Sequence, residues 1–423
     1  MLLIKSLFTK LICIGTLLIG YQFFVEPLES FGQGSDYCEI AERAFKIASR
    51  LRGLSMESKV PCLVRDKAQV KEYLLSTIAT KLPPRKMELE GYVFGLIGMI
   101  PEGFDYEKKL VDLYVNQIGG YYDPEKNHFI MAAWMPAILQ MSIAVHELTH
   151  GLQDQHFNLE KFMDPKIENS DLLSARSALV EGDANYIMLD YSRELVGQTP
   201  LKSENNVDSF MMQNIVGLKL MASSLGVPES LQMSLIFPYT SGLRFAHSLM
   251  KSGDLKALDQ AYAHPPRSTK EILHPQEYLK GTAKLVEISV TDLETEMLPV
   301  PKDRQLVYQD TIGEFGISAL LGMYVKDRTE STRAANGWMG DRVALFENNG
   351  GVGKYLRWKT SWESVRDAEE FYNTYRTSLK SRFPGNSFLA EASTVGNKKV
   401  YLKRDGQSVM VGMDIGAGEL LKP

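Results

Sequence analysis

The sequence is poor in cysteine and histidine and carries no marked excess of charge of one sign. Three Cys and seven His occur among 423 residues, and 47 basic residues face 52 acidic ones. The absence of a Cys-x-x-Cys pair excludes thiolate zinc sites. The absence of a long basic block leaves no electrostatic footprint for nucleic acid or an anionic membrane. Because histidine is this rare, any clustering of histidines is informative.

Internal repeats and low-complexity tracts are also lacking. No repeat at a period of roughly 20 to 50 residues is visible, and the hydrophobic content of 44% is that of an ordinary globular protein. These absences exclude disorder, collagen and coiled coil. The length is sufficient for one large domain or two compact ones.

The N-terminus has the layout of a secretory signal peptide. Lys5 and Lys10 precede a nearly uncharged apolar run from Leu11 to Val25. We therefore expect residues 1–32 to be a signal peptide and the protein to be exported, to the periplasm or out of the cell. An uncleaved membrane anchor is the alternative, although the run is shorter than the about 20 apolar residues that span a bilayer.

The cysteines predict at most one disulfide. Removal of the signal peptide takes away Cys13 and leaves Cys38 and Cys62. In an exported chain these two would form a bridge near the mature N-terminus, worth about 3 kcal/mol by loop entropy. Two unpaired thiols are the alternative.

Hydrophobic periodicity divides the chain into a mostly helical part and a smaller mixed part. Runs at 118–122 and 128–133 flank a turn-rich pentapeptide and predict a β-hairpin, and Pro136 opens a long helical pattern through His150. Near Pro299 and Pro301 the sequence pattern changes from mostly helical segments to a mixture of helices and strands. We expect an α+β protein, with a mostly helical domain with a small sheet at 33–298 and an α+β module at 299–423.

The predicted helix after Pro136 contains the sequence His-Glu-x-x-His, formed by His146, Glu147 and His150. At about 100° per residue, residues four apart differ by only about 40°, so both imidazoles leave one face and can bind one ion. Glu147 follows His146 directly, so its carboxylate leaves a neighbouring part of the helix surface and can reach the open coordination position of the ion. The pattern predicts a metal site with Glu147 as a catalytic residue.

Two residues compete to be the third metal ligand. In some metal sites built on His-Glu-x-x-His, a third histidine ligand follows at the spacing of His156, after a glycine that breaks the helix and turns the chain back to the metal. Here Gln153 occupies the position of that glycine. Glu181 lies on a second predicted helix among small residues that permit close helix approach. Gly182 beside it costs about 1 kcal/mol within a helix, which indicates a packing reason or a site reason. Glu181 is the preferred ligand, with His156 or another group left open.

These residues resemble the gluzincin branch of the zincin metallopeptidases, and more specifically an exported bacterial metallopeptidase. The resemblance covers roughly residues 110 to 200 and extends to short motifs at 265–269 and 274–278. It implies that Zn²⁺ is held by His146, His150 and Glu181, and that Glu147 is the general base for a zinc-bound water. It also implies that the strand at 128–133 aligns an extended peptide.

The sequence departs from the gluzincin pattern in one respect. Several gluzincins place an aspartate four residues after the ligand glutamate to orient the first histidine, and that position is Asn185 here. Asp183 would point elsewhere in a regular helix, so Asp154 is the candidate for this role. For stabilisation of the oxyanion, Tyr239 is preferred among the eligible residues, which also include His247, His264, Arg267 and His274.

The expected function is zinc-dependent hydrolysis of peptide bonds in the cell envelope or outside the cell, acting on a peptide or protein and not on nucleic acid. Contact with the membrane is expected only through an uncleaved signal. Two alternatives stay open: a non-catalytic zincin-fold protein for binding or assembly in the envelope, and a metal-dependent amidase acting on cell-wall peptides. The sequence leaves the substrate, the oligomeric state and the role of the last 120 or so residues undetermined.

Overall fold

A computed structural model describes residues 35–210, 226–296, 302–348 and 353–416 of the chain. The fold is mixed α+β, with 56% helix and 17% strand, as the sequence predicts. The predicted signal peptide and the boundary prolines Pro299 and Pro301 lie outside the described residues. Among the helices that are described, none is long and apolar enough to cross a bilayer.

The region before residue 211 combines long helices with three short strands. In chain order its elements are α1 Ser35–Arg52, β1 Cys62–Arg65, α2 Lys67–Lys81, α3 Lys86–Ile97, α4 Tyr106–Gln117, β2 Gly120–Asp123, β3 His128–Ala132, α5 Ala137–Phe157, α6 Leu159–Phe162, α7 Ser170–Leu195 and a 3₁₀ turn Leu201–Ser203. Within the described residues from 226 to 296, the helices are α8 Glu229–Ala263, α9 Thr269–Leu273, α10 Pro275–Lys280 and α11 Val290–Glu296.

The predicted hairpin is present as β2 and β3, which pair antiparallel. The three-stranded sheet has the order β1-β3-β2, and β1 pairs parallel to β3. The expectation that the 128–133 strand aligns a peptide is therefore wrong, because β3 is the central strand and both its edges are occupied. Among the described strands, β1 and β2 each have one strand neighbour in this sheet, and all four residues of β2 are buried.

Helices α7 and α8 cross at two glycines. A Cβ atom on Gly182 would lie 2.1 Å from the carbonyl oxygen of Gly242, and a Cβ on Gly242 would lie 2.2 Å from the carbonyl oxygen of Ala178. Real Cβ atoms do not approach backbone this closely, so only glycine fits at either position. The helix-weakening Gly182 thus has a packing function, which brings Glu181 next to the helix that carries Tyr239.

The region after residue 302 contains a six-stranded antiparallel sheet with the order β4-β5-β6-β9-β8-β7. Its elements are β4 Arg304–Asp310, α12 Gly313–Leu321, α13 Arg328–Ala335, β5 Trp338–Asn348, β6 Lys354–Trp362, α14 Val365–Arg382, β7 Ala392–Val395, β8 Lys398–Asp405 and β9 Ser408–Ile415. Helix α14 packs on the sheet through Phe371, which contacts Trp358 and Trp362. Residues of α3 and α4 belong to the same hydrophobic core.

The structure leaves the predicted disulfide untested. Cys62 begins β1, and Cys38 lies on α1, which packs on β1. The side chain of Cys38 is outside the described part of the structure. The bridge between the two residues stays a prediction.

Candidate metal centre

His146 and His150 lie one turn apart on the buried face of α5, with their imidazole rings in van der Waals proximity. The two Nε2 atoms are 3.1 Å apart and the ring centroids 4.8 Å apart. Both side chains are almost fully buried, at 0% and 1% exposure. The four-residue spacing therefore directs both nitrogens to one point, as helix geometry requires.

Glu181 reaches the same point from α7. Its Oε2 lies 3.3 Å from Nε2 of His146 and 3.7 Å from Nε2 of His150. Ligand atoms of the three residues all lie within 4.8 Å of one another, and all three residues are buried. The cluster of His146, His150 and Glu181, here called the metal cluster, could therefore hold a metal ion.

Burial sets the charge state of the two imidazoles. Desolvation lowers the pKa of His146 to about 3. Desolvation likewise lowers the pKa of His150 to about 3, although the nearby Glu181 carboxylate opposes the shift. Both rings are neutral at pH 7, so their contacts with Glu181 are not ion pairs. A neutral imidazole offers a lone pair, which is the form that binds metals.

His156 does not join the metal cluster. Helix α5 continues without a break to Phe157, so His156 points away from the face that carries His150. Its Nε2 instead lies 2.8 Å from the carbonyl oxygen of Ser55, and its Nδ1 lies 3.8 Å from Glu57. The structure therefore brings Glu181, and not His156, to the two histidines.

Glu147 is fully buried beside the metal cluster and turns toward the small sheet. Its Oε2 accepts a hydrogen bond from the main-chain N–H of Tyr122 at 3.2 Å. That N–H belongs to β2, whose four residues are all buried. The candidate general base is thus held in the interior, in contact with the main chain of the small sheet.

Tyr239 also lies near the metal cluster. Its ring centroid is 6.5 Å from that of His146, and the side chain is half-buried. The other residues considered for oxyanion stabilisation have contacts elsewhere: His247 with Tyr186, the main chain of His264 with Tyr278, Arg267 with Glu271, and His274 with Glu314. Tyr239 is the one of the five for which the structure gives a contact with a cluster residue.

Asp154, the residue expected to orient the first histidine, has its hydrogen bonds elsewhere. Asp154 accepts hydrogen bonds from the hydroxyl of Tyr122 and the main chain of Leu159. Gln153 instead lies with its Oε1 2.6 Å from Nδ1 of His150. The expectation for Asp154 is therefore wrong. Gln153 lies three residues after His150 on the same helical face, and that spacing was the available signal.

Asp183 was expected to point away from the site, but it contacts Gln153. Its Oδ2 accepts a hydrogen bond from Nε2 of Gln153 at 3.0 Å. Sequence reasoning also missed Tyr114 of α4, whose buried hydroxyl has its pKa raised by desolvation and by the carboxylates of Glu90 and Glu181. No motif identifies Tyr114, because α4 and α7 are far apart in sequence.

Comparison with known proteins gives one match, and it lies outside the metal cluster. Residues 303–418 match the family model of a domain of unknown function, DUF8575. No curated protein matches the chain, and no solved structure does. The match covers the region of the six-stranded sheet.

Proposed function

We propose that the chain is an exported zinc-dependent metallopeptidase of the gluzincin type. The observation that carries this proposal is the convergence of the three ligand atoms of the metal cluster beside the buried Glu147. A structural metal site has no use for a further carboxylate directly next to its ligands. A hydrolytic site requires one as a general base.

The donor set fits zinc better than a hard cation. Two neutral imidazoles and one carboxylate are the three-ligand set of catalytic zinc sites, which leave one coordination position open. Mg²⁺ and Ca²⁺ prefer oxygen ligands throughout. Zn²⁺ bound here would polarise the scissile carbonyl and lower the pKa of the attacking water toward about 7.

The residues of the chain supply the remaining chemistry. Glu147 takes the proton of the attacking water and delivers it to the leaving amine. The Tyr122 N–H fixes the Glu147 carboxylate in place. Tyr239 lies on the His146 side of the site, where its hydroxyl donates to the developing oxyanion.

The proposal of a peptide substrate rests on the resemblance of the motif at His146, Glu147 and His150 to the gluzincin metallopeptidases. Strand β2 beside Glu147 is buried, so a peptide could add to its edge only after the covering segments move. The cellular location rests on the N-terminal residues alone, which predict export to the periplasm or the medium.

A second candidate function draws support from the burial of the site. His146, Glu147 and His150 are 0% exposed and Glu181 is 2% exposed, so a peptide reaches Glu147 only after neighbouring segments move. A protein that binds or assembles other envelope components, with a metal that only stabilises the helices, needs no such access. A metal-dependent amidase acting on cell-wall peptides shares the zinc chemistry and differs only in the shape of its cleft.

The variant Glu147→Gln separates catalysis from metal binding. We expect the purified wild type to carry about one zinc ion per chain and to cleave members of a peptide library followed by mass spectrometry. Glu147→Gln should retain the zinc and lose about 100- to 10,000-fold in cleavage rate, because the amide cannot take a proton.

The exposed Glu42→Gln on α1 is the matched control, and it should behave as wild type. Full activity in Glu147→Gln would contradict the assigned mechanism. A zinc-loaded wild type that cleaves no peptide, together with unchanged partner binding in Glu147→Gln, would favour the binding or assembly function.

A further inference from the structure

The amide of Gln153 is fixed in one orientation by its neighbours. Its Nε2 donates to the carbonyl oxygen of Val180 at 3.1 Å and to the carboxylate of Asp183 at 3.0 Å. Neither acceptor can donate a hydrogen bond, so the NH₂ end of the amide must face them. The carbonyl end, Oε1, is then the atom that lies 2.6 Å from Nδ1 of His150.

This orientation determines which nitrogen of His150 carries the proton. An amide oxygen only accepts, so Nδ1 of His150 must be the donor and Nε2 must hold the lone pair. Nε2 is the atom that faces His146 and Glu181. The hydrogen bond therefore presents the metal-binding nitrogen of His150 in the correct tautomer and restrains its ring.

Asp183 is held in turn by donors from two other helices. Arg52 at the end of α1 is fully buried and lies 2.8 Å from the carboxylate. The hydroxyl of Tyr262 on α8 donates to Oδ2 at 3.1 Å. With this cation and this hydroxyl as partners, Asp183 stays an acceptor toward Gln153.

We propose that Gln153 is the positioning residue of the metal site, which fixes the tautomer and ring orientation of His150, and that Asp183, held by Arg52 and Tyr262, fixes the amide of Gln153. The proposal rests on the metal-binding part of the proposed function and not on peptide hydrolysis. A neutral amide suits this position, because a carboxylate there would lie against that of Asp183.

Nuclear magnetic resonance of ¹⁵N-histidine in the metal-free mature protein tests the tautomer directly. The chain has only seven histidines, and the variant His150→Gln identifies the signal of His150 by its loss. We expect the proton of His150 on Nδ1 in the wild type. A proton on Nε2 would overturn the proposal, and this measurement requires no substitution at Gln153.

The near-isosteric variant Gln153→Met tests the effect on metal affinity. Loss of the acceptor should weaken zinc binding by about 10- to 100-fold in competition with a chelator. The His150 proton should also distribute between both nitrogens. Gln155→Met on the same helix is the matched control, because Gln155 binds Ser58 and the main chain of Glu57, away from the metal cluster.

A purely structural role would give Gln153→Met a lower melting temperature with an unchanged tautomer, and that result would overturn the proposal. If Gln153→Met does not fold, Asp183→Asn gives the second test. Its amide can donate to Gln153 and so release the orientation of that side chain, which should again mix the two tautomers.

The two proposals fail in different ways. A wild type with the Nδ1 tautomer that binds no zinc would contradict the proposed function and its metal site, while the control of the His150 tautomer by Gln153 would stay supported. If the wild type and Gln153→Met bind zinc with the same affinity, the positioning role is contradicted and the proposed function stays intact.

Discussion

Two regions of the molecule bury carboxylates at different points along α7. The first is the metal cluster around Glu181. The second is an acidic cluster, formed by Asp171, Asp310 and Asp341, where the start of α7 meets β4, α12 and β5. Both are almost completely shielded from solvent.

Two members of the acidic cluster, Asp310 and Asp341, are each surrounded by four hydrogen-bond donors. Asp341 accepts from the main chain of Ile312 and Gly313 and from the indoles of Trp338 and Trp358, at 2.9 to 3.0 Å. Asp310 accepts from the main chain and hydroxyl of Ser170 and from Tyr308 and Thr311. Carboxylates that are satisfied in this way connect elements and need no ion.

The metal cluster brings potential ligand atoms together instead. Nε2 of His150 and the carboxylate oxygen Oε2 of Glu181 face each other at a distance of 3.7 Å, and Nε2 of His146 lies 3.3 Å from the same oxygen. These three residues could hold a metal ion. The difference teaches that buried carboxylates connect elements where several donors surround them, and that a possible metal site arises where a carboxylate meets two neutral imidazoles.

The largest effect on stability and on the metal cluster is expected from Gly182→Ala, which acts at the crossing of α7 and α8. The new methyl group would overlap the carbonyl oxygen of Gly242, so the helices must separate. We expect a loss of about 3 kcal/mol or more in the free energy of unfolding, together with weaker zinc binding because Glu181 moves with α7. Chemical denaturation and chelator competition measure both.

Gly95→Ala on α3 is the control, because its methyl group would meet nothing closer than 3.8 Å. A normal melting curve for Gly182→Ala would show that the helix crossing is looser than described. Loss of stability without loss of zinc would separate the crossing from the metal cluster.

A crossed pair of variants should affect the two clusters separately. Glu181→Gln removes a ligand and should weaken zinc binding beyond the about 100-fold that loss of an outer contact gives, with little change in stability. Asp341→Asn turns an NH₂ group toward donors and should cost about 2 kcal/mol in unfolding free energy, with zinc binding unchanged. Zinc loss in Asp341→Asn would break the distinction between the clusters.

The smallest effect is expected in the pH dependence of stability at the acidic cluster. Burial raises the pKa of Asp171 to about 8, above the ordinary value of 3.8, and Asp341 and Glu314 add to the shift. The folded state thus retains a proton that the unfolded state loses above pH 3.8. The contribution of Asp171 to stability is fully present below that pH and is lost as the pH rises toward 8, by about 1.4 kcal/mol per pH unit at most.

Asp171→Asn resembles the protonated acid and should remove this part of the slope between about pH 5 and 8 (about 1 kcal/mol per unit). Asp66→Asn, at the exposed cap of α2, controls for the loss of one carboxylate. Denaturation curves at several pH values give the difference. An unchanged slope in Asp171→Asn would show that Asp171 is ionised in the folded protein, and unchanged zinc affinity would confirm that the two clusters are independent.

The parts of the metal cluster that could be predicted are those encoded within one helix. His146 and His150 are four residues apart, so the helix alone directs them to one point. The choice between His156 and Glu181 was also accessible, because it depends on whether α5 continues. Gln153 was not predicted, although its spacing of three residues from His150 was available, because the orientation of its amide depends on Val180 and Asp183 of another helix.

The same division applies to the small sheet. The hairpin of β2 and β3 is local and was predicted from the turn between the strands. The central position of β3 was not, because β1 precedes β3 by more than 60 residues and its parallel pairing occupies the second edge of β3. Long-range pairing is decided by packing, for which a single sequence carries no periodic signal.

The sequence by itself determined the α+β class, the hairpin and the pair of histidines, because each depends on contacts between residues close in the chain. Tertiary structure decided that Glu181 meets the histidines, that Gln153 and not Asp154 contacts a cluster histidine, and that the main chain of β2 donates to Glu147. The physical reason is the same in each case: these contacts join separate elements, whose approach depends on the close crossing at Gly182 and Gly242 and on the packing of the surrounding helices.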